Sequence, residues 1–224
     1  ECVKYLIEAD IVVTNPPFSK FIELFSLLTK YNKQYLLISN QNAITYKEIF
    51  PYIKNNKARV GHHFGDMSFK VPEDTEPRRT RFWIDSSGQK WRSLGNAMWL
   101  TNLDVTKDRI KLNLEHSYSK ERYPKYDNYD AINVNKVADI PKDYFESMAV
   151  PITYVDKHNP DQFEIVNAND IRTNPDTPQK GHGLIKDKDA VITTKKALTT
   201  KDEENYALTD RRITYARIVI RRKM

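Results

Sequence analysis

DIVVTNPPFS, residues 10–19, sets the architecture that the rest of the chain follows. The apolar run within residues 9–15 is short and rich in β-branched side chains, which predicts a buried strand of a parallel sheet. Pro16 and Pro17 end this strand sharply because a proline has no amide hydrogen to donate to a sheet. Residues 19–31 then place apolar side chains at helical spacing between charged ones, which predicts an amphipathic helix.

The same order occurs a second time further along the chain. Residues 34–40 predict another buried strand, and residues 46–55 predict a helix that is interrupted near Pro51. Alternating strands and helices predict a parallel sheet in which ligands bind beyond the carboxyl ends of the strands. Later segments predict a mixed sheet edge, with strands at 65–71, 81–84, 97–103 and 213–222, a turn at 85–88, and loops or insertions at 104–152 and 167–188.

Composition excludes several classes of protein. The 224 residues carry 36 Lys and Arg against 30 Asp and Glu, and 39% are hydrophobic, which is enough to build a folded core. The longest apolar stretch, residues 11–13, is far too short for a membrane helix, so we expect no membrane partner. Cys2 is the single cysteine, which is typical of a reducing compartment and predicts a cytoplasmic protein.

The tetrapeptide Asn15-Pro16-Pro17-Phe18 carries the chemistry, because it follows the carboxyl end of the first predicted strand. The amino group of a nucleobase is a poor nucleophile, since its lone pair is delocalised into the ring. The Asn15 side-chain carbonyl and the Pro16 peptide oxygen offer two acceptors for the two amino hydrogens. The prolines hold both oxygens in extended geometry, and Phe18 offers a face on which an extruded base can stack.

A plain strand stop is the alternative explanation of this tetrapeptide. A buried strand directly before it and a helix directly after it favour the catalytic interpretation, since a motif gains weight from its structural setting.

This strand with its tetrapeptide is similar to the catalytic motif of amino-methyltransferases that use S-adenosylmethionine. The surrounding sequence resembles the EcoRI-type adenine-specific DNA methyltransferases over most of the chain, least so from 166 to 210. The stretches that carry the resemblance are DIVVTNPPFS (10–19), SNQNAITYKEIFP (39–51), GDMSFKVP (65–72), GQKWRSLGN (88–96), YPKYDNYDAINV (123–134), VPITYVDKHNPDQFEI (150–165) and YARIVIRRK (215–223).

The resemblance implies an α/β fold, namely the second half of a Rossmann-like methyltransferase sheet followed by a β-rich, loop-rich extension. It implies methyl transfer from S-adenosylmethionine to adenine in double-stranded DNA, in a prokaryotic or phage restriction-modification or orphan system. The implied partner is a cognate restriction endonuclease. Residues 1–104 would belong to the catalytic domain, and residues 105–224 to a DNA-facing extension with an insertion near 166–210.

The chain departs from this family pattern in its cofactor residues. Such enzymes carry a glycine-containing cofactor loop upstream of the catalytic tetrapeptide, and an acidic residue for the ribose. Here the first of 6 glycines is Gly61, and the sequence begins with Glu1 rather than methionine. We therefore expect a carboxyl-terminal part of the enzyme, which lacks its amino-terminal part and is inactive alone.

Two groups of basic residues predict contact with DNA. Residues 195–224 contain nine basic against four acidic residues, an excess of five positive charges. Basic groups with aromatic rings between them suit phosphate contact and base stacking, although a solvated strand face is the alternative for any single arginine. The predicted DNA-binding residues are Arg78, Arg79, Arg81, Lys90 and Arg92, interleaved with Phe82, Trp83 and Trp91, together with Arg217, Arg221 and Arg222 on a final strand with a basic outer face.

Asn40 follows the second predicted strand and would lie near Asn15 at the same sheet edge. Besides Asn15, it is the candidate to bind the methionine end of the cofactor, and capping of the next helix is the alternative. His62, His63 and Asp66 do not predict a metal site, because adjacent histidines in a strand point to opposite faces.

Two other functions remain open from the sequence. Methylation of RNA or of a protein glutamine would meet the same delocalised lone pair. A non-catalytic DNA-binding remnant would explain the absent glycine loop.

Overall fold

A computed structural model describes residues 2–126, 129–168 and 216–224 of the chain. These residues form a mixed α/β protein with three sheets in two compact units, one up to Lys107 and one from Asp108 onward. The helices are α1 (Cys2–Glu8), α2 (Phe21–Lys30) and α3 (Phe50–Lys54). The strands are β1 (Ile11–Thr14), β2 (Gln34–Asn40), β3 (Arg59–Gly65), β4 (Ser68–Lys70), β5 (Phe82–Ile84), β6 (Lys90–Ser93), β7 (Ala97–Thr101), β8 (Ile132–Asn133), β9 (Met148–Pro151), β10 (Phe163–Ala168) and β11 (Arg217–Arg222).

Within the described ranges, no helix has both the length and the apolar character that a membrane crossing requires.

The central sheet of the first unit has the strand order β1-β2-β7-β3. Strands β1 and β2 are parallel and α2 connects them, which confirms the predicted strand–helix–strand unit. Strand β7 then pairs antiparallel with both β2 and β3, so the sheet is mixed as predicted for the region after Arg59.

Helix α2 packs against one face of this sheet. It buries Phe21, Phe25 and Leu28, and the Phe25 ring packs edge-on against Tyr35 of β2 at 5.7 Å and against Tyr52 of α3 at 5.2 Å. Because two elements pack on the Tyr35 side, that face forms the core of the unit. Burial raises the pKa of Tyr35, and the neighbouring Tyr52 adds to the effect.

The prediction that the first strand is buried on both faces is wrong. Val13 is 64% exposed and Ile11 is also exposed. Side chains alternate along a strand, and β1 lies at the edge of the sheet with α2 over the opposite face. The described part of the first unit therefore leaves one side of β1 uncovered.

Two further predictions for this unit need correction. The helix expected at 46–55 is the shorter α3, with Pro51 in its first turn, where a missing amide hydrogen costs nothing. The strand expected at 65–71 is divided, because Gly65 has a φ of 129° and ends β3 before β4 begins. Strands β3 and β6 were not predicted as separate strands.

The sheet of the second unit has the order β10-β11-β9-β8. Strand β11 is central and antiparallel to both of its neighbours, and Ile218, Val219 and Ile220 are all buried. The predicted basic outer face is therefore wrong at Arg217, which is half-buried and donates to the Val134 carbonyl oxygen at 3.3 Å. Burial lowers the pKa of Arg217.

The segment 104–152, predicted as loop, contributes to the core of this unit. It contains β8 and β9, with Ile132, Met148 and Val150 fully buried. The predicted insertion at 166–210 lies outside the described residues except for 166–168.

Two buried side chains, in the segment that follows β9, are hydrogen-bonded to each other. The Tyr154 hydroxyl hydrogen-bonds to His158 Nδ1 at 3.0 Å, and both residues are buried. Burial raises the pKa of Tyr154. Burial lowers the pKa of His158 to about 4, and the charge of Lys223 contributes. His158 is therefore neutral at pH 7.

We expect this histidine to make the folded chain sensitive to acid. An unfolded histidine titrates near pH 6.5, so the stability from keeping His158 neutral is complete above that pH and is lost as the pH falls toward 4. The difference between the two pKa values corresponds to about 3 kcal/mol at most. Thermal unfolding midpoints between pH 7.5 and pH 4.5 should therefore fall more steeply in the parent chain than in His158→Gln.

The control is His62→Gln, because His62 is exposed. It should follow the parent chain at every pH. Identical pH profiles for His158→Gln and the parent would contradict the assignment.

Candidate active site

The termini of four strands meet at one edge of the central sheet. Thr14 pairs with Leu37, so Asn15 follows β1 at the edge where β2 ends. Asn40 and Gly65 both pair with Ala97, which places the end of β2, the end of β3 and the start of β7 side by side. The topology thus puts Asn15 and Asn40 at the same end of the sheet, with Asn40 three residues beyond the Leu37 that pairs with Thr14. A shared ligand for the two side chains stays a prediction.

The residues after β1 present polar and aromatic groups outward. Asn15 is exposed, Pro16 is buried, and Phe18 is 47% exposed at the start of a 3₁₀ helix (Phe18–Lys20). Pro17 is extended, with φ −55° and ψ 130°, and its carbonyl oxygen accepts from the Lys20 amide at 2.9 Å. Among the described residues, no hydrogen bond is formed by the side-chain amide of Asn15 or by the carbonyl oxygen of Pro16.

This arrangement can polarise an amino group. Two acceptor oxygens on adjacent residues can receive both hydrogens of one –NH₂ group, and a half-exposed ring beside them can stack on the ring that carries it. Buried Pro16 anchors the segment, so the acceptors are held before a substrate arrives.

Asn40 has a structural role at the same edge. Its Oδ1 accepts from the Asn42 amide at 2.9 Å and caps the 3₁₀ helix Gln41–Thr45, as the capping alternative predicted. Gln41 ties this helix to β7, since its amide donates to the Asn96 carbonyl at 2.8 Å and its Nε2 to the Ala97 carbonyl at 3.2 Å. A cofactor contact by Asn40 stays a prediction.

The described residues contain no cluster of three or more side chains that would suit a metal ion. His62 is exposed on β3, and Asp66 accepts from the Gly95 amide at 2.7 Å. This aspartate therefore acts as a structural acceptor at the sheet edge.

A second sheet is inserted at the end of the central sheet where β3 ends and β7 begins. Residues 66–96 lie between β3 and β7 and contain β4, β5 and β6 in the order β4-β6-β5, which we call the aromatic sheet. Its two ends are joined, because the Leu94 amide donates to the Met67 carbonyl at 3.0 Å beside the Gly95–Asp66 bond. The aromatic sheet is thus anchored beside the residues that follow β2, at the end of the central sheet where β1 also ends.

Cations and aromatic rings alternate across the aromatic sheet. Lys70, Trp91 and Trp83 are cross-strand neighbours and share one face, while Phe69, Arg92 and Phe82 share the other. The indoles of Trp83 and Trp91 are parallel, with centroids 6.2 Å apart and an angle of 4°, and Lys70 Nζ lies 5.7 Å from the Trp91 ring. Sequence reasoning missed Phe69 and Lys70, although an aromatic–cation pair occurs there as it does at Trp91 and Arg92.

Asp85 holds the turn between β5 and β6. Its carboxylate accepts from the Ser87 hydroxyl (2.6 Å), the Ser87 amide (2.9 Å), the Gln89 amide (3.1 Å) and Trp91 Nε1 (2.8 Å). The Ser87 hydroxyl, followed by the Trp91 indole, lowers the pKa of Asp85 to about 2. This carboxylate therefore fixes both the predicted turn and the orientation of Trp91.

The predicted DNA-binding residues of this unit have different surroundings. Arg78 and Arg79 are exposed in the loop before β5. Arg81 has a φ of 57° and donates to the Leu94 carbonyl, and Lys90 donates to the carbonyl oxygens of Glu73 and Thr75, so both hold the aromatic sheet together. Arg92 is half-buried between two phenylalanines.

The second predicted basic group belongs to the other unit. Arg221 pairs with Glu164 at 3.2 Å, and the Arg222 guanidinium lies 5.1 Å from the Phe145 ring centroid, beside a cavity of about 510 Å³. The basic residues at 195–212 fall outside the described part of the chain. Contact of either group with DNA stays a prediction.

Comparison with known proteins gives a consistent family. The sequence matches the model of the family described as Adenine-specific methyltransferase EcoRI over residues 1–223. It is 51% identical over 170 residues to the Type II methyltransferase M.EcoRI of Escherichia coli. The matched residues make up 74% of this chain and 52% of that protein. Over 173 residues it is 39% identical to M.MgeORF184P of Mycoplasma genitalium and 36% identical to M.MpnI of Mycoplasma pneumoniae, with 75% of this chain and 54% of each relative covered.

The chain therefore spans about half the length of these curated relatives. No solved structure gives a significant match.

We expect Asp85→Ala to disorder the turn and release Trp91, because four hydrogen bonds share this carboxylate. The exciton band of the Trp83–Trp91 pair in circular dichroism should lose most of its amplitude. In the parent chain the band should persist from pH 7 to pH 4 and weaken only as the pH falls toward 2, since a lowered pKa keeps the carboxylate charged above that value. Asp74→Ala, at an exposed acid of the neighbouring loop, should keep the full band. A full band in Asp85→Ala would contradict this role.

Proposed function

Because this chain belongs to the adenine-specific methyltransferase EcoRI family, we propose that it transfers a methyl group from S-adenosylmethionine to the exocyclic amino group of adenine in duplex DNA. The observation that carries the proposal is the exposed Asn15 side chain, adjacent to the buried Pro16 and the half-exposed Phe18, at the sheet edge from which the aromatic sheet extends.

The fold supports this assignment at the level of architecture. We infer that the central sheet is the second half of a Rossmann-like methyltransferase sheet. The parallel β1–β2 pair with its α2 crossover is the unit that places a ligand beyond the carboxyl ends of strands. The division of the chain near Lys107 supports a catalytic part at residues 1–104 and a DNA-facing part at 105–224.

The chain's own residues act on the amino group of an extruded adenine. The Asn15 Oδ1 and the Pro16 carbonyl accept its two hydrogens, which draws the nitrogen toward tetrahedral geometry and frees its lone pair. The lone pair then forms the bond to the methyl carbon as the carbon–sulfur bond breaks. The nitrogen becomes positively charged and loses one proton to water, so a strong general base is unnecessary.

S-adenosylmethionine, when bound, supplies an electrophilic methyl group on a sulfonium. Asn15 and Asn40 lie at the same sheet edge and are the residues that would hold its methionine end. The exposed amide of Asn15 fits a polar ligand, and the Asn40 amide keeps its nitrogen as a donor while its oxygen caps a helix. The glycine-containing loop expected for the rest of the cofactor has no counterpart before Gly61 in the sequence.

DNA is the proposed partner, and Phe18 would stack on the extruded base. Arg78 and Arg79 are the exposed cations of the first unit best suited to phosphates. In the second unit the candidates are the exposed Arg221 and the half-buried Arg222. The relatives are named Type II methyltransferases, and by this likeness we propose a restriction-modification role with a cognate restriction endonuclease.

The direct test is mass-spectrometric measurement of 6-methyladenine in unmethylated duplex DNA incubated with S-adenosylmethionine. Since the chain spans about half of its relatives, the assay compares this chain with a version extended upstream in its reading frame. Methyladenine from either protein supports the proposal. If neither protein forms methyladenine but one of them methylates RNA or a protein glutamine, the proposed substrate is wrong. If neither transfers a methyl group to any of these substrates, the alternative of a non-catalytic DNA-binding protein is favoured.

In the version that methylates DNA, Asn15→Ala should lower turnover by at least about a hundredfold, because it removes one of the two acceptors from the reacting amino group. DNA affinity should change less than about twofold, since the amide contacts one base only and the contacts to phosphates, which dominate affinity, remain. Single-turnover methylation and equilibrium DNA binding measure the two effects. Asn113→Ala, at an exposed asparagine bonded to Glu115, is the matched control and should change neither. Equal losses of turnover and affinity in Asn15→Ala would overturn its role.

A further inference from the structure

The aromatic sheet has large apolar side chains on both of its faces exposed to solvent. Trp83 is 41% exposed on one face, while Ile84, at 56%, and Phe69 are exposed on the other. A sheet normally buries at least one face, so exposed rings on both faces mark a surface that binds something.

The charges on this sheet select the kind of partner. The three strands carry the cations Lys70, Lys90 and Arg92, four aromatic rings and no carboxylate. Alternating cations and rings complement a polyanion that carries flat bases, which is nucleic acid. The charge complementarity therefore favours a nucleic acid over a second copy of this chain.

The stacked tryptophan pair indicates that the nucleic acid contacts this sheet through a base as well as through its phosphates. Trp91 lies parallel to one side of the Trp83 indole, and Trp91 is itself fixed by its bond to Asp85. Trp83 belongs to β5, which is an edge strand of this sheet within the described residues. The exposed area of Trp83 therefore lies away from Trp91, where one more flat ring can continue the stack.

We propose that Trp83 is a stacking platform for an unpaired base of the bound DNA. The aromatic sheet that carries Trp83 is anchored at Gly95 and Asp66, at the same end of the central sheet as Asn15. The inference rests on the proposed function for its choice of DNA. Extrusion of one base leaves its former partner unpaired, which gives such a platform a ligand.

The experiment compares two labelled duplexes, one fully paired and one with a single unpaired base, in fluorescence anisotropy titrations of the full 224-residue chain. Trp83→Ala should bind the duplex with the unpaired base about tenfold more weakly than the parent chain, with little change for the paired duplex. Trp83→Phe should recover most of the affinity, because a smaller ring still stacks.

Tyr5→Ala is the matched control, since Tyr5 is an aromatic residue of α1 that is 63% exposed and lies outside the aromatic sheet. It should bind both duplexes as the parent chain does. Parent-like binding by Trp83→Ala, or equal losses for both duplexes in Trp83→Ala and Trp83→Phe, would overturn the proposal. Parent-like DNA binding by Trp83→Ala together with a dimer that it disrupts, measured by sedimentation, would assign the surface to a second copy and also overturn it.

Failure of this inference is separable from failure of the proposed function. Methyladenine formed with no effect of Trp83→Ala on binding would overturn the platform alone. Binding that depends on Trp83, with no methyl transfer by either version of the protein, would overturn the proposed function and keep the platform.

Discussion

The parallel pairing of β1 with β2 is the constraint on which the rest of the first unit depends. Two parallel strands end at the same edge, and each ends in residues that cannot continue the sheet, Pro16 after β1 and the capped helix after Asn40. The Pro16 carbonyl released at this end of the strands and the side-chain amides of Asn15 and Asn40 are the polar groups of the candidate site. Helix α2 must cross over one face to connect the strands, and its phenylalanines build the core that holds the edge in place.

Local order in the first unit comes from internal hydrogen bonds as much as from burial. Arg81 and Lys90 donate hydrogen bonds to main-chain carbonyl oxygens, and the Asp85 carboxylate accepts four hydrogen bonds within one turn. The aromatic sheet leaves large side chains exposed on both faces, so such bonds contribute more of its stability than they would in a buried sheet. The charged residues of the aromatic sheet and its loops thus divide into those that hold the backbone in place and those, such as Arg78 and Arg79, that remain exposed.

Prediction from the sequence succeeds where the signal is local. The apolar residues 35–38 with their polar flanks give the bounds of β2, and the run before Pro16 and Pro17 gives the position of β1. The role of the tetrapeptide from Asn15 to Phe18 stays a prediction. Prediction from the sequence fails where distant residues decide. Strand β3 contains Gly61, whose place depends on Trp99, since a Cβ there would lie 2.7 Å from the Trp99 Cβ. Arg217 is half-buried because its strand is flanked by β9 and β10, which periodicity within one strand cannot reveal.

The insertion point of the aromatic sheet has an evolutionary consequence. Strands β3 and β7 are antiparallel neighbours, so residues 66 and 96 lie side by side, and everything between them leaves the central sheet and returns at one place. Segments inserted in this way can be lengthened, shortened or exchanged without moving the strands that hold the site. On the proposed function, selection can therefore change what this surface recognises while the residues after β1 keep the same chemistry, so that recognition and catalysis can evolve separately.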